Sequence, residues 1–298
     1  MKHLTTFLFS SLIFSTALSM AACGGNGTTA TGGDGGAGGG GGAGGSDQSG
    51  VPCDVAKVLA DKCLACHGTT PNGAPMSLVT YEDLTATSAA DSSKTVIERA
   101  VIRMASTTSP MPPAGGSTQA EIDTLQAWID AGTPKGDCSD IVDPFAAPIG
   151  CESGATWDPQ SEEGPLMNPG EACITCHKNE TNSFEMPPIF LVAGTVYPSG
   201  HESELCYGID GTSPDFADVV VQVTDANGAQ LNLKPNKTGN FYLEEAESFV
   251  LPYTAKVVSS KGERAMTASQ TDGDCNACHT VEGGGNGSMA PGRIVIPY

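Results

Sequence analysis

A chain of 298 residues is long enough for one large domain or two ordinary ones, and its composition favours two. Its 14 Lys and Arg against 34 Asp and Glu give a formal charge of −20, which on electrostatic grounds excludes nucleic acid and suits a basic or neutral protein partner. Most of the acidic excess falls in residues 139–298, where it also serves solubility.

Residues 1–22 read as a signal peptide: Lys2 and His3, an apolar run from Leu4 to Leu18, then small residues. The stretch Met20-Ala21-Ala22-Cys23 resembles the lipobox of bacterial lipoproteins, with Met20 where Leu, Val or Ile is usual. That resemblance implies an acylated Cys23 as the mature N-terminus and a membrane partner held through this lipid. A signal-peptidase cut after Ala21 is the alternative. Gly24 rather than Asp after Cys23 suits an outer-membrane lipoprotein facing the periplasm or the cell surface. Residues 23–50 continue as a Gly-rich tract with almost no large apolar side chain, a tether reaching about 30 Å. No later segment is apolar enough to span a bilayer.

An exported chain must account for its 11 cysteines, because free thiols are liabilities in an oxidising compartment. One is Cys23 and six fall in C-x-x-C-H motifs. Cys53, Cys138, Cys151 and Cys206 remain, an even number suited to two disulfides.

In chain order, Val55, Val58 and Leu59 lie at helical spacing behind Asp54 as N-cap, in a helix leading to Cys63. A second helix is expected over Ser92–Ala105. A third is expected over Ser117–Ala131, where Thr118 and Glu121 form a capping-box start and Ile122, Leu125, Trp128 and Ile129 one apolar face, with Gly132 as its stop. Residues 51–138 thus form a first module and 139–170, rich in Pro, Gly and acidic residues, a linker. In the second module, 171–298, the period shifts to two. Phe190–Tyr197, Val219–Thr224, Gln230–Leu233, Asn240–Leu243, Tyr253–Ser259 and Arg293–Ile296 read as strands, with Asn227-Gly228 as a hairpin turn. An antiparallel sandwich is the expected outcome.

The motifs Cys63/Cys66/His67, Cys173/Cys176/His177 and Cys275/Cys278/His279 carry the chemistry. Two thiols about one helical turn apart can add to the two vinyl groups of a haem, and the histidine that follows can reach the iron; C-x-x-C-H is the signature of such attachment. Zinc would need a fourth N or S ligand at each site, and a dithiol redox centre needs no histidine. Three covalently bound haem c groups are therefore expected.

Beyond the motifs, residues 53–138 resemble a class I cytochrome c domain through the C-L-A-C-H helix, the Ser109-Pro110-Met111-Pro112-Pro113 loop and the closing helix with Trp128. The resemblance implies an all-α module, His67 and Met111 as axial ligands with Met76 and Met104 as competitors to Met111, and Cys53 joined to Cys138. Residues 190–258 are similar to the carboxypeptidase-regulatory-like β-sandwich family through Gly194-Thr195-Val196-Tyr197, Val221–Gly228 and Thr238-Gly239-Asn240-Phe241-Tyr242. That family binds no haem, so the flanking motifs are a departure. The expected fold is therefore multidomain: an all-α class I cytochrome c module, then a mainly antiparallel β-sandwich module with haem-binding extensions, the two folding independently. His201 is a candidate distal ligand for one of the two later haems, beside Met167, Met186, Met266 and Met289.

These readings predict electron transfer between a redox-protein donor and acceptor rather than enzymatic catalysis. A haem enzyme with an open iron position, or a haem-based sensor or binding protein, is the alternative. Adjacent carboxylates such as Glu162/Glu163 and Glu244/Glu245 read as solvated surface, and no phosphate loop or nucleophile elbow is present.

Overall fold

Helix α1 (Cys53–Lys62) opens the structured part, burying Val55, Ala56, Val58, Leu59 and Ala60 on one face; Pro52 is its N-cap and Asp54 lies in its first turn. The computed structural model describes residues 50–113, 116–138, 143–159, 164–180, 187–244 and 248–297. The signal, Cys23, the Gly-rich tract, Met186, Glu162, Glu163 and Glu245 lie outside the described residues. After α1 come α2 (Leu64–His67), α3 (Tyr81–Thr85), the antiparallel pair β1 (Thr87–Ser88) and β2 (Asp91–Thr95), α4 (Val96–Met104) and α5 (Gln119–Asp130). Capping boxes start three of these helices, with Thr80/Asp83, Thr95/Glu98 and Thr118/Glu121 each satisfying two orphan donors. Leu59, Leu64, Leu84, Ile97, Leu125 and Trp128 form the core between them. The Trp128 indole donates to Pro134 O at 2.8 Å, and a Cys53–Cys138 disulfide joins the ends.

The expected fold class needs correction. The chain is mixed, with seven α-helices and three sheets among the described residues, and a small all-α module is not evident. Residues 92–95, read as the start of a helix, extend as part of β2. Ser92, Ser93 and Thr95 have short polar side chains that compete for backbone groups, and Thr95 serves better as the N-cap of α4 than inside it.

The second half begins with α6 (Cys173–Asn179) and β3 (Phe190–Tyr197), followed by β4 (Val220–Thr224), β5 (Gln230–Leu233), β6 (Asn240–Glu244), β7 (Thr254–Ser259), β8 (Gly262–Ala265), α7 (Cys275–Cys278) and β9 (Ile294–Val295). A four-stranded antiparallel sheet runs β5-β4-β7-β8. In the three-stranded sheet β6-β3-β9, β9 pairs parallel with β3. Val192 and Val196 of β3, Phe241 of β6, Val221 and Val223 of β4 and Val257 of β7 share one core between the sheets. The Asn227-Gly228 turn links β4 to β5, with Gly228 at φ +84° and the Asp225 carboxylate accepting from Asn227 N and Ala229 N.

β3 is covered on both faces. Val192 and Val196 point into the sheet core, while Ala193, Thr195 and Tyr197 are buried on the opposite side. Gly194 admits no side chain, because a Cβ there would lie 2.8 Å from Cys275 Cβ and 2.9 Å from Phe241 Cζ.

The described residues fall within one compact unit. Arg264 on β8 donates to Ala60 O on α1 at 3.0 Å and sits 3.8 Å from Asp61. Asp143 is buried just after Cys138 and accepts from Phe145 N at 3.0 Å. A second disulfide, Cys151–Cys206, fastens the 151–157 segment to the loop after β3. No helix among the described residues is long and apolar enough to cross a membrane.

Candidate functional site

The three motifs are built alike. In the first, Cys63 ends α1, and Cys66 N and His67 N both bond to Cys63 O, so one helical turn brings the two sulfurs and the imidazole together. Leu78 N to His67 O at 2.8 Å closes the loop that follows. In the third, the same turn forms with His279 N to Cys275 O at 2.9 Å, and in the second, α6 carries Cys173, Cys176 and His177.

Each motif histidine then makes the same contact. His67 Nδ1 donates to Met76 O at 2.8 Å, His177 Nδ1 to Pro188 O at 2.8 Å and His279 Nδ1 to Gly292 O at 2.9 Å. A carbonyl can only accept, so Nδ1 carries the proton and Nε2 keeps its lone pair. Metal-bound histidines are oriented by a bond of this kind, which fixes the tautomer and raises the basicity of the ligating nitrogen. Burial reinforces this at His279 by pushing its pKa below the ordinary imidazole value.

The thiols are not those of a nucleophile. Burial pushes Cys63, Cys173 and Cys275 up to about 12 and raises Cys66, the opposite of the depressed values at reactive cysteines. Cys63 and Cys66, and likewise Cys275 and Cys278, are half-buried thiols beside an imidazole with a free lone pair and fit two thioether links and one axial ligand, the donor set haem c requires; at the second motif Cys173 is such a thiol, whereas Cys176 is disulfide-bonded.

A cavity of ≈ 800 Å³, within the usual range for cofactor pockets, is lined by Cys63, Cys66 and His67 on one side and Cys275, Cys278 and His279 on another. Met111 lines it too, its N–H donating to Arg103 O at the end of α4. Of the competing methionines, Met104 is buried in the helical core and Met76 supplies the carbonyl for His67, though both also border the cavity. Met266 and Met289 line it as well. Met167 does not line the cavity, and its backbone carbonyl accepts from Asn240 Nδ2 at 2.9 Å; Met186 lies outside the described residues.

His201 lies between two backbone carbonyls. Its Nδ1 lies 2.6 Å from Val281 O and its Nε2 3.0 Å from Phe145 O, so backbone carbonyls occupy both ring nitrogens and neither lone pair is presented to a metal. Its neighbour Glu202 is fully buried beside Cys206 Sγ at 3.2 Å. Burial pushes the Glu202 carboxyl up. Its Oε2, the oxygen beside Cys206 Sγ, accepts the Glu152 N–H at 3.0 Å. Cys151, Glu202 and Cys206 cluster as metal ligands might, but the disulfide removes two of the three.

Sequence reasoning missed the residues that hold the second and third motifs together. Asp274 Oδ2 accepts Thr175 N at 2.8 Å, and Asn276 Nδ2 donates to Glu171 O at 2.9 Å and Thr195 Oγ1 at 3.1 Å. Arg293 is 1% exposed and donates to Gly170 O at 3.0 Å and Glu202 O at 3.2 Å, with its guanidinium 5.1 Å over the Tyr197 ring. The signal for Asn276 and Asp274 was their place inside and beside a motif. Arg293 gave none.

Comparison with family models, with curated proteins and with solved structures returns no match to this chain.

Proposed function

We propose that the chain is a three-haem c-type cytochrome that carries single electrons between a donor and an acceptor protein, held at a membrane by an acyl group on Cys23. When bound, haem c supplies a one-electron iron couple. The observation that carries this reading is the Nδ1-to-carbonyl bond made by all three motif histidines. His67, His177 and His279 offer Nε2 as proximal ligands; Cys63/Cys66, Cys173/Cys176 and Cys275/Cys278 form the thioethers. Met111 is the distal ligand at the first site, as the likeness of its loop to class I cytochromes c implies. The acidic surface suits basic partner proteins.

The test is the chain matured with a c-type haem attachment system. Denatured protein should retain three haems by mass, and Cys23→Ser should release it from membranes with its haems intact. Fewer than three haems on fully matured protein, or bound zinc, overturns the reading.

One observation favours a second reading, ligand binding or catalysis at an open iron position. With His201 engaged at both nitrogens, no histidine outside the motifs is left for a distal site once His3 is removed with the signal. A high-spin ferric spectrum that shifts with cyanide or carbon monoxide supports it, and a fully low-spin one excludes it.

A further inference from the structure

We infer that the three attachment sites lie in space in the order 63–67, 275–279, 173–177, so that the last motif in sequence is the middle one in the molecule. This rests on the haem reading above and adds the route to it.

The second and third motifs are joined directly. The N–H of Thr175, between Cys173 and Cys176, is bonded at 2.8 Å to Asp274, the residue before Cys275. Asn276, between Cys275 and Cys278, donates at 2.9 Å to Glu171 O and lies 3.9 Å from Cys173 Sγ. Asp274 and Asn276 are each 3% exposed, so the side chains that make these part-buried bonds are themselves held in place by the packing around them. Thr195 of β3 ties the pair to the sheet: its N–H donates to Asn276 Oδ1 and its hydroxyl oxygen accepts from Gly170 N and Asn276 Nδ2.

The first and third motifs meet differently. Both line the ≈ 800 Å³ cavity, His67 and His279 included. The loop after His67 reaches the loop after His279, since a Cβ at Gly73 would lie 3.5 Å from Met289 Sδ. Among the described residues lining that cavity, none comes from 173–177. His177 instead packs its ring 4.9 Å from Phe190, which continues to Tyr242 on β6 at 4.9 Å. The 275–279 site therefore adjoins both others, by a shared cavity on one side and direct bonds on the other.

An electron entering at either end crosses in two hops. Cys275, Cys278 and His279 would hold the group that passes a single electron between those held at 63–67 and 173–177; a one-electron donor protein and an acceptor protein would close the balance.

The test uses three variants of the matured protein, each with one cysteine pair replaced by alanine, so that two haems remain. Pulsed electron paramagnetic resonance then reads the magnetic coupling between them. Coupling should be several-fold stronger in the two variants that keep 275–279 than in Cys275→Ala/Cys278→Ala. The same measurement on unmodified protein, which needs no variant to fold, should give two short separations and one long. Comparable separations for all three pairs, or strong coupling in Cys275→Ala/Cys278→Ala, overturns the order while leaving three haems by mass intact. A haem count below three overturns the underlying reading, and the order with it.

Discussion

The Asp274 carboxylate accepts the Thr175 N–H at 2.8 Å across 99 residues of chain, fastening one C-x-x-C-H turn to another. Asp274→Ala removes a hydrogen bond to a buried carboxylate and should destabilise the protein by about 2 kcal/mol. Chemical denaturation of the matured protein measures this. The visible spectra of the second and third sites should broaden together while the first is unchanged.

His201→Ala should leave the spin state of every haem as it is, because His201 spends both nitrogens on Val281 O and Phe145 O. His279→Ala should convert one haem to high spin. Magnetic circular dichroism of the two variants separates these outcomes, and loss of a low-spin haem in His201→Ala would falsify the placement of His201 outside the ligand set.

Met111 borders the cavity opposite α2, on a loop that Arg103 secures at both ends: its carbonyl accepts Met111 N at 3.0 Å and its Nε donates to Ser109 O at 2.7 Å. Met111→Ala should abolish the weak near-infrared charge-transfer band of a ferric methionine-ligated haem. It should also lower that site's potential, since thioether ligation raises it. Survival of the band assigns the role to Met76, Met104, Met266 or Met289.

Asp83 sets a pH dependence at the first site. Burial pushes its pKa up, but hydrogen bonds from Thr80, Ser77 and Val79 outweigh that and hold it below the ordinary carboxylate value. These bonds fix residues 77–80, directly after the Met76 carbonyl that orients His67. A folded pKa below the unfolded one gives stability that is present above the unfolded value and lost as pH falls through the folded value. Thermal melting from neutral to acid pH should show this loss. Asp83→Asn should melt lower at neutral pH and fall less steeply in acid.

Local turns were more legible in the sequence than the architecture was. The spacing of Cys63, Cys66 and His67 and its two counterparts depends on a single helical turn, a local fact that no distant contact alters. The capping box Thr118/Glu121 and the Asn227-Gly228 turn were legible for the same reason. β1, β2 and β8 were missed because Ser, Thr, Gly and charged residues give no period, and tertiary pairing decided them. Alternation along β3 could not reveal that both of its faces are covered, since the second covering comes from α6 and α7, outside its own sequence. His201 looked available because its carbonyl partners at 145 and 281 are distant in the chain.

β9 and the segment around α7 reach β3 only after some 80 intervening residues have been placed: Thr195 waits for Asn276 at a separation of 81, and Val196 for Ile294. Such long-range pairings form late, because the chain must close a large loop before any contact rewards it. A chain interrupted during synthesis anywhere between β6 and α7 would hold two complete C-x-x-C-H turns and lack the one that adjoins both. Its β3 would expose Thr195 and Gly194 along an uncovered edge, a surface that proteases and chaperones recognise. On the proposed electron-transfer reading, the segment from α7 to β9 thereby both covers β3 and supplies the site that adjoins the other two.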